Sequence, residues 1–204
     1  MNMSKQGGCT WEDVAEFERS YNVQFPPDYQ EFLVKYNGGE TPDTGFYFSS
    51  RLNSDVRYFY GIGDVEYSVH NAVYADDFDL PDMLEKGLFP IAEDSYGDTI
   101  LMDIRDNPGT VYFADHEEED EEEEGMPKLR KLTDTFSKFV KRCKSDTDEI
   151  MKNGGVRTVE QRIRDLTADG YEKNITPSLM ELWEEEIARF NGLHLERVKL
   201  SGLK

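Results

Sequence analysis

The sequence has little of what stabilises secreted or membrane proteins. Its 204 residues include two cysteines, Cys9 and Cys143, which stand far apart and in no motif. Secreted domains of modest size use more cysteine than this, so we expect two reduced thiols. No apolar run approaches the ~18–20 residues of a membrane span, and the start, MNMSKQGGCTWEDV, lacks the apolar segment of a signal peptide. The sequence therefore predicts a cytoplasmic protein that does not contact membranes.

Catalytic motifs are also missing. There is no Gly-x-x-x-x-Gly-Lys-Ser/Thr phosphate loop and no Gly-x-Ser-x-Gly nucleophile turn. His70, His116 and His194 lie in separate segments, and none has a second His or Cys at metal-ligand spacing. We predict a protein that is not an enzyme and uses no metal or cofactor. An enzyme that acts on a cationic substrate through paired carboxylates would require a pocket with carboxylates of raised pKa.

Basic residues are scarce in the N-terminal part of the chain. The net charge is −20, from 43 acidic and 23 basic residues. Residues 1–125 contain 30 acidic and 7 basic residues, whereas residues 126–204 contain 13 and 16. Such a field repels nucleic acid and anionic membranes and attracts cationic partners. Plain solubility is the alternative explanation for the charge.

Four helices are predicted before residue 145. Thr10 can cap the first, with Asp13 in capping-box position and apolar residues at helical spacing behind it. The second lies in FPPDYQEFLVKYNGG, where proline suits the first turn and Asn-Gly-Gly ends the helix. The third is expected from Asp64 to Val73, and the fourth after a cap at Thr133.

Short aromatic or apolar runs between turn residues predict five strands. They are Phe46–Ser50, Arg57–Ile62 and runs that begin at Leu88, Thr99 and Thr110. The turns DSYGD and RDNPG carry the expected Asp, Asn, Pro and Gly, and the close spacing favours antiparallel hairpins. The fold class is therefore α+β, with a mainly antiparallel sheet, helices packed against it and a helical C-terminal extension.

Charge and composition divide the chain into three parts. The predicted α+β domain covers residues 10–144 and includes an acidic loop at 117–124, a run of eight acidic residues that self-repulsion should keep extended and mobile. Residues 145–157 resemble a linker, and residues 158–204 form the helical extension. The segment DDFDLPD lacks the glycine and closing glutamate of a calcium loop, which favours a solvated loop.

Two helices are expected in the extension. Thr158 with Gln161 can cap the first, and Thr176 with Pro177 can begin the second. The second helix has an apolar stripe that needs cover from the main domain or from another subunit, so a homo-oligomer through these helices is one possible arrangement. The stripe consists of Leu179, Trp183, Ile187 and Phe190.

The hairpin EDSYGDTILMD carries an aromatic residue among carboxylates, the kind of surface that suits a cationic protein. The alternative is a structural turn that needs Gly97 for positive φ, with Asp94 and Asp98 bonding local amides. His116 ends a strand beside the acidic run, which could raise its pKa. The candidate partner-binding residues are Glu93, Asp94, Tyr96, Asp98, Asp103, His116, Glu117 and Glu118.

Four segments, in this order, resemble the signatures of the SUKH superfamily. They are FPPDYQEFLVKYNGG, LFPIAEDSYGDTILMD, TVYFADHEEE and DTFSKFV, and the resemblance covers residues 10–144. The superfamily includes bacterial immunity proteins that neutralise toxins, many of them nucleases, and yeast cell-wall-assembly regulators. The resemblance implies a single α+β domain without catalysis and with a concave partner-binding face. The acidic run and residues 145–204 have no counterpart in that pattern.

The resemblance and the charge lead to the same functional hypothesis. A nuclease is basic where it grips phosphate, so an acidic inhibitor gains speed and selectivity of capture. We therefore expect an immunity protein that binds a cognate basic protein toxin, a nuclease, stoichiometrically. The alternative is a non-catalytic regulatory or scaffolding module of the cell-wall-assembly-regulator type. A toxin gene beside this one would support the immunity hypothesis, and its absence would support the regulatory one.

Overall fold

A computed structural model of the chain describes residues 1–42, 44–50, 52–74, 78–120, 126–145, 152 and 155–203. Its helices are α1 Trp11–Tyr21, α2 Pro27–Tyr36, α3 Leu80–Glu85, α4 Phe136–Arg142, α5 Val159–Ala168 and α6 Pro177–Gly192. Its strands are β1 Asn2–Met3, β2 Gly39–Glu40, β3 Thr44–Ser49, β4 Leu52–Asp55, β5 Tyr58–Phe59, β6 Val73–Tyr74, β7 Phe78–Asp79, β8 Leu88–Glu93, β9 Thr99–Asp103, β10 Val111–Glu119, β11 Pro127–Thr133, β12 Lys144–Ser145 and β13 Glu196–Arg197.

The strands form one large sheet and three small ones. The large sheet has six strands in the order β11-β10-β9-β8-β5-β2, and a three-stranded sheet has the order β12-β3-β4. The pairs β1–β13 and β6–β7 complete the set. All pairings between these strands are antiparallel. The predicted α+β class with a mainly antiparallel sheet is confirmed.

The central strands of the large sheet are buried on both faces. Along β9, Ile100 and Met102 belong to the main core, while Leu101 between them belongs to a smaller core with Met83 of α3. Successive side chains of a strand point to opposite faces, so a strand covered on both sides is apolar without alternation. This explains why β8 and β9 read as continuous apolar runs in the sequence.

Aromatic rings fill the main core, where α2 and α4 meet. Phe136 of α4 is buried, and its ring centroid lies 5.0 Å from those of both Tyr29 and Phe32. Phe89 of β8 lies 4.7 Å from Phe25. Such tilted and edge-to-face pairs add to the stabilisation that burial of apolar area already provides.

The local signals at the ends of α1 and α2 have the predicted effect. The Thr10 side chain accepts a bond from the Asp13 amide while the Asp13 carboxylate accepts one from the Thr10 amide, so the capping box is present. Pro27 stands in the first turn of α2, and Asn37 ends the helix in the left-handed region with φ 50°. In α4 the cap is Thr135 rather than the predicted Thr133, which lies at the end of β11.

The predicted helix from Asp64 to Val73 is wrong. The segment is a loop that ends in a single 3-10 turn, Val69–Asn71, capped by Ser68. Bonds from the Gly61 amide to the Tyr67 carbonyl and from the Val69 amide to the Gly61 carbonyl hold the loop against the chain before it. These tertiary bonds replace the helical ones, because the segment has too few residues to form a stable helix alone.

Helix α3 and strand β11 are two of the elements that the sequence-based prediction does not contain. Helix α3 lies in the segment interpreted as a solvated loop, where Asp79 and Asp82 form a capping box; residues 76 and 77 lie outside the described residues. Strand β11 follows the acidic run and pairs with β10. Its charged PKLRKLT sequence suits an edge strand, whose outer positions face solvent.

Both ends of the chain take part in the main core. Met3 in β1 is fully buried, and β1 pairs with β13 near the C-terminus. Val198 and Leu200 are buried in the same core, and the Tyr36 hydroxyl accepts a bond of 2.8 Å from the Lys199 amide. The domain limits at residues 10 and 144 stay a prediction, and these contacts add Met3, Val198 and Leu200 to the core.

Helices α5 and α6 form a hairpin between these anchored segments. Arg162 of α5 lies over the Trp183 ring at 5.7 Å and pairs with Glu186 at 2.9 Å. None of the residues of the two helices is buried. Within the single chain the apolar stripe is half-buried. Its cover by another subunit stays a prediction. None of the helices described is long and apolar enough to cross a membrane.

Candidate functional site

The turn between β8 and β9 is built around a buried carboxylate. Asp94 is fully buried, and its Oδ1 accepts bonds from the amides of Tyr96 at 2.8 Å and Asp98 at 2.9 Å. Its Oδ2 accepts one from the Ser54 hydroxyl at 2.5 Å. Burial disfavours the ionised form of Asp94 and raises its pKa. The three hydrogen bonds favour the ionised form and act in the opposite direction. Gly97 has φ 91°, which its lack of a side chain permits.

A second contact ties this turn to the three-stranded sheet. The backbone amide of Ser95 donates to Asp55 at 3.1 Å, and the Ser95 hydroxyl bonds to the same carboxylate. The turn is therefore fixed to β4 on one side and to its own backbone on the other. Tyr96 projects from this fixed turn with 76% of its surface exposed. An exposed aromatic ring on a rigid support can bind a partner with little loss of entropy.

Asp98 joins the turn to the end of β10. Its Oδ1 accepts a bond from the backbone amide of His116 at 3.0 Å and lies 2.7 Å from the ring Nδ1. This hydrogen bond is the main cause of a raised His116 pKa, to which the nearby carboxylates of Glu117 and Asp115 add. Asp98, Asp115 and His116 can each place one ligand atom within 4.8 Å of the others. Among the described His, Cys, Asp and Glu residues, these three form the group that could hold a metal ion.

Asp103 lies away from this turn. It ends β9, whereas Asp98 precedes the start of β9, and five residues of strand separate the two ends by roughly 15 Å. Asp103 accepts bonds from the amides of Arg105, Asp106 and Asn107 at 2.8, 2.9 and 3.1 Å. It shapes the next turn, so the structure does not bring it together with the other candidates.

The remaining acidic candidates differ in how free they are to bind. Glu93 is half-buried and accepts a bond of 2.7 Å from the Tyr60 hydroxyl. Glu118 pairs with Arg130 and, at 3.5 Å, with Lys128. Glu117 is exposed. Residues 117–119 belong to β10 rather than to the predicted mobile loop, and residues 121–124 lie outside the described residues.

The structure adds residues that the sequence reasoning missed. Tyr47 of β3 is 67% exposed. It pairs with Asn53 of β4, one residue from the Ser54 that holds Asp94. The period of two in Phe46-Tyr47-Phe48 could have identified it, because a buried Phe46 places Tyr47 on the outer face. Ser54 and Asp55 had no signal, since their partners lie 40 residues further along the chain.

Two concavities formed by the described residues lie elsewhere. One of about 1180 Å³ is bordered by the end of α1, by α3 and by Arg105. A second of about 400 Å³ is bordered by residues that include Cys9, Asp13, Asp64 and His70. The candidate site is instead a projecting turn beside a strand end, a shape that suits contact with a protein better than enclosure of a small molecule.

Comparison with known proteins agrees with the resemblance seen in the sequence. The family model of SMI1 / KNR4 family (SUKH-1) matches residues 8–142, more than half of the chain. The SPbeta prophage-derived uncharacterized protein YokK of Bacillus subtilis (strain 168) is 31% identical over 132 aligned positions. That alignment covers 53% of this chain and 62% of YokK, less than two thirds of the relative's length. The chain belongs to the SMI1 / KNR4 (SUKH-1) family.

Proposed function

We propose that this protein is an immunity protein that binds a cognate basic protein toxin, a nuclease, stoichiometrically and without catalysis. Membership of the SUKH-1 family supports a toxin-immunity or regulatory module in general. The observation that carries the more specific proposal is the turn described above, from which a rigidly held Tyr96 is exposed. Asp98 of the same turn binds His116, the chain neighbour of the exposed Glu117. This surface lies in the part of the chain that holds the excess of acidic residues.

The eight candidate residues have different parts in this proposal. Tyr96 is the anchor that enters the partner, and Glu117 supplies charge at the rim. Asp94 and Asp98 hold the turn and the histidine in place, and so act through Tyr96 and His116. Glu93, Asp103 and Glu118 support neighbouring turns and strands from within the protein.

Charge and packing should affect different steps of binding. The acidic field acts at long range and raises the association rate, so raising salt from low to physiological concentration should slow capture several-fold. A buried aromatic anchor acts only after contact, so its removal should speed dissociation. Fast capture matters for an inhibitor because a toxin that stays free damages the cell.

The test is binding to the product of a toxin gene that lies beside this one, measured by surface plasmon resonance and by survival on co-expression. Tyr96→Ala should speed dissociation by about tenfold or more, as expected for an interface hot spot. Glu117→Lys should slow association several-fold at low salt. Matched controls on the helical hairpin are Tyr171→Ala and Glu160→Lys, which remove an exposed tyrosine and reverse an exposed charge.

The two levels of the proposal fail in different ways. If wild-type protein binds the toxin and Tyr96→Ala binds equally well, the interface lies elsewhere. If wild-type protein has no affinity for the neighbouring gene product, the immunity function is wrong, and a regulatory or scaffolding role becomes the better explanation.

A further inference from the structure

We propose that Tyr47 is a second anchor for the partner protein, so that one face of the β3–β4 pair and the turn that carries Tyr96 form a single interaction surface. The inference rests on the proposed function, because it names a further contact for the same basic toxin. Tyr96 and Tyr47 are 76% and 67% exposed, more than the other exposed large hydrophobic side chains among the described residues. They lie far apart in the sequence, and the fold brings their two elements into contact.

Tyr47, Asn53 and Asp55 lie on the same face of β3 and β4, the outer face of this pair. Tyr47 stands directly opposite Asn53 in the antiparallel register, and Phe46 stands opposite Ser54. Opposite residues point to one side of a sheet and successive residues alternate, so the buried Phe46 leaves Tyr47 facing outward. Asp55 is two residues from Asn53 on the same face, which makes it a diagonal neighbour of Tyr47 at roughly 7–8 Å.

Asp55 joins the outer face to the turn of Tyr96. Its carboxylate accepts a bond from the Ser95 amide at 3.1 Å and also binds the Ser95 hydroxyl. Because Ser95 directly precedes Tyr96, the Cα atoms of Tyr47 and Tyr96 are at most roughly 20 Å apart. An interface of standard size covers about 800 Å² on each partner and is roughly 30 Å across. One partner can therefore cover both rings.

The outer face is held as firmly as the turn. The Asn53 side-chain amide donates to the Ser49 carbonyl at 3.2 Å, which fixes the end of the β3–β4 pair. On the inner side of the pair, the Ser54 hydroxyl donates to the buried Asp94 at 2.5 Å. A tyrosine on such a support loses little entropy on binding, since it has only two side-chain torsions to fix.

The charge around the two rings favours a basic partner and marks where the surface ends. Both elements belong to residues 1–125, which contain 30 acidic and 7 basic residues. A second copy of this chain has the same acidic excess and is repelled, whereas a cationic protein is attracted. Lys144 of β12, the other neighbour of β3 in its sheet, is exposed and repels a cationic protein. The surface should therefore reach from Tyr96 across Asp55 to Tyr47 and end before β12.

The test is surface plasmon resonance of the full-length protein against the product of the toxin gene beside this one. Tyr47→Ala should speed dissociation by about tenfold, as Tyr96→Ala should. Tyr47→Phe keeps the ring and should dissociate nearly as slowly as wild type. The melting temperature should change little in these variants, because both side chains are exposed. As a second readout on the unmodified protein, hydrogen exchange of the outward amides of β3 and β4 should slow when the toxin binds.

Two controls separate this surface from other exposed residues. Tyr171→Ala removes an exposed tyrosine from the helical hairpin and should leave dissociation unchanged. Lys144→Glu removes a repelling charge at the limit of the surface and should associate at least as fast as wild type at low salt. Slower association of Lys144→Glu would mean that the lysine contacts an acidic partner surface, which contradicts the proposed extent.

The possible outcomes distinguish this inference from the proposed function. If Tyr96→Ala weakens toxin binding while Tyr47→Ala and the exchange of β3 and β4 do not change it, the second anchor is wrong and the proposed function stands. If wild-type protein has no affinity for the toxin, both fail together. If wild-type protein is a dimer that Tyr47→Ala converts to a monomer in size-exclusion chromatography, a second copy covers the outer face and the inference is overturned.

Discussion

The sheet domain and the helical hairpin that follows it achieve structure by different means. The domain buries a continuous set of aromatic and aliphatic side chains, among them Phe32, Phe89 and Phe136. The hairpin of α5 and α6 buries no residue, although its helices have well-formed caps at Thr158 and Thr176. Capping signals therefore determine where a helix begins in both regions, but they do not make a region stable. Stability comes from buried apolar area, and the domain buries far more of it than the hairpin does.

The largest expected effect comes from truncation of the C-terminal segment, which consists of the helical hairpin and the strand β13 with its buried neighbours. Truncation after Ser145 removes both the hairpin and the strand β13 with Val198 and Leu200, which are buried in the domain core. Burial of two such side chains contributes about 3–6 kcal/mol, so the truncated protein should lose about that much of its free energy of unfolding. Urea denaturation followed by circular dichroism measures it.

Excision of the hairpin alone is the matched control for that truncation. A Gly-Ser linker in place of residues 157–193 keeps β13 and the two buried residues. We expect this variant to stay within about 1 kcal/mol of wild type, because the removed helices bury no residue. If excision costs as much as truncation, the hairpin stabilises the domain and the contrast between the two regions is wrong.

A pair of single substitutions tests the same contrast within each region. Phe136→Ala should cost about 3–5 kcal/mol, since it opens a cavity among Tyr29, Phe32 and Phe59. Trp183→Ala removes a larger ring from the hairpin but should cost about 1 kcal/mol, mostly its contact with Arg162. Chemical denaturation of both variants under the same conditions decides the matter. Equal losses would show that the hairpin belongs to the cooperative core.

Within the candidate site, the residue that supports the turn and the residue that anchors the partner should differ in their effect on stability. Asp94→Ala leaves the amides of Tyr96 and Asp98 and the Ser54 hydroxyl without their acceptor, so it should cost about 1–3 kcal/mol of stability. Tyr96→Ala should change stability by less than about 0.5 kcal/mol, because the side chain is exposed. Thermal denaturation of the two variants checks this. A large loss for Tyr96→Ala would make that residue part of the core rather than of a binding surface.

The smallest effect concerns the two thiols of the domain. Burial raises the pKa of Cys9 to about 11 and that of Cys143 to about 12, from an ordinary value of 9.0. The unfolded chain ionises first as pH rises, so these groups leave stability unchanged below pH 9 and reduce it above. At pH 8 both thiols should react with an aromatic disulfide reagent far more slowly in the native protein than in urea. Equal rates would place them at the surface.

The sequence predicted most of the fold where local and tertiary preferences agree. The capping box at Thr10 and the proline at the start of α2 mark their helices correctly. The segment from Asp64 to Val73 has similar local signals but bonds to Gly61 instead. Strand β11 was missed because its charged side chains belong to the edge of the sheet, where apolar patterns are weak.

Composition, charge and motif order were readable from the sequence alone, because each is a property of the chain itself. They led to the α+β class, the acidic N-terminal part and the SUKH family. The tertiary structure alone decided which acidic residues are available. It buries Asp94 within a turn, places Asp103 at the far end of β9, and joins Asp98 to His116. A carboxylate in solution and one that holds backbone amides look alike in sequence, because their partners are set by the packing of strands that lie far apart along the chain.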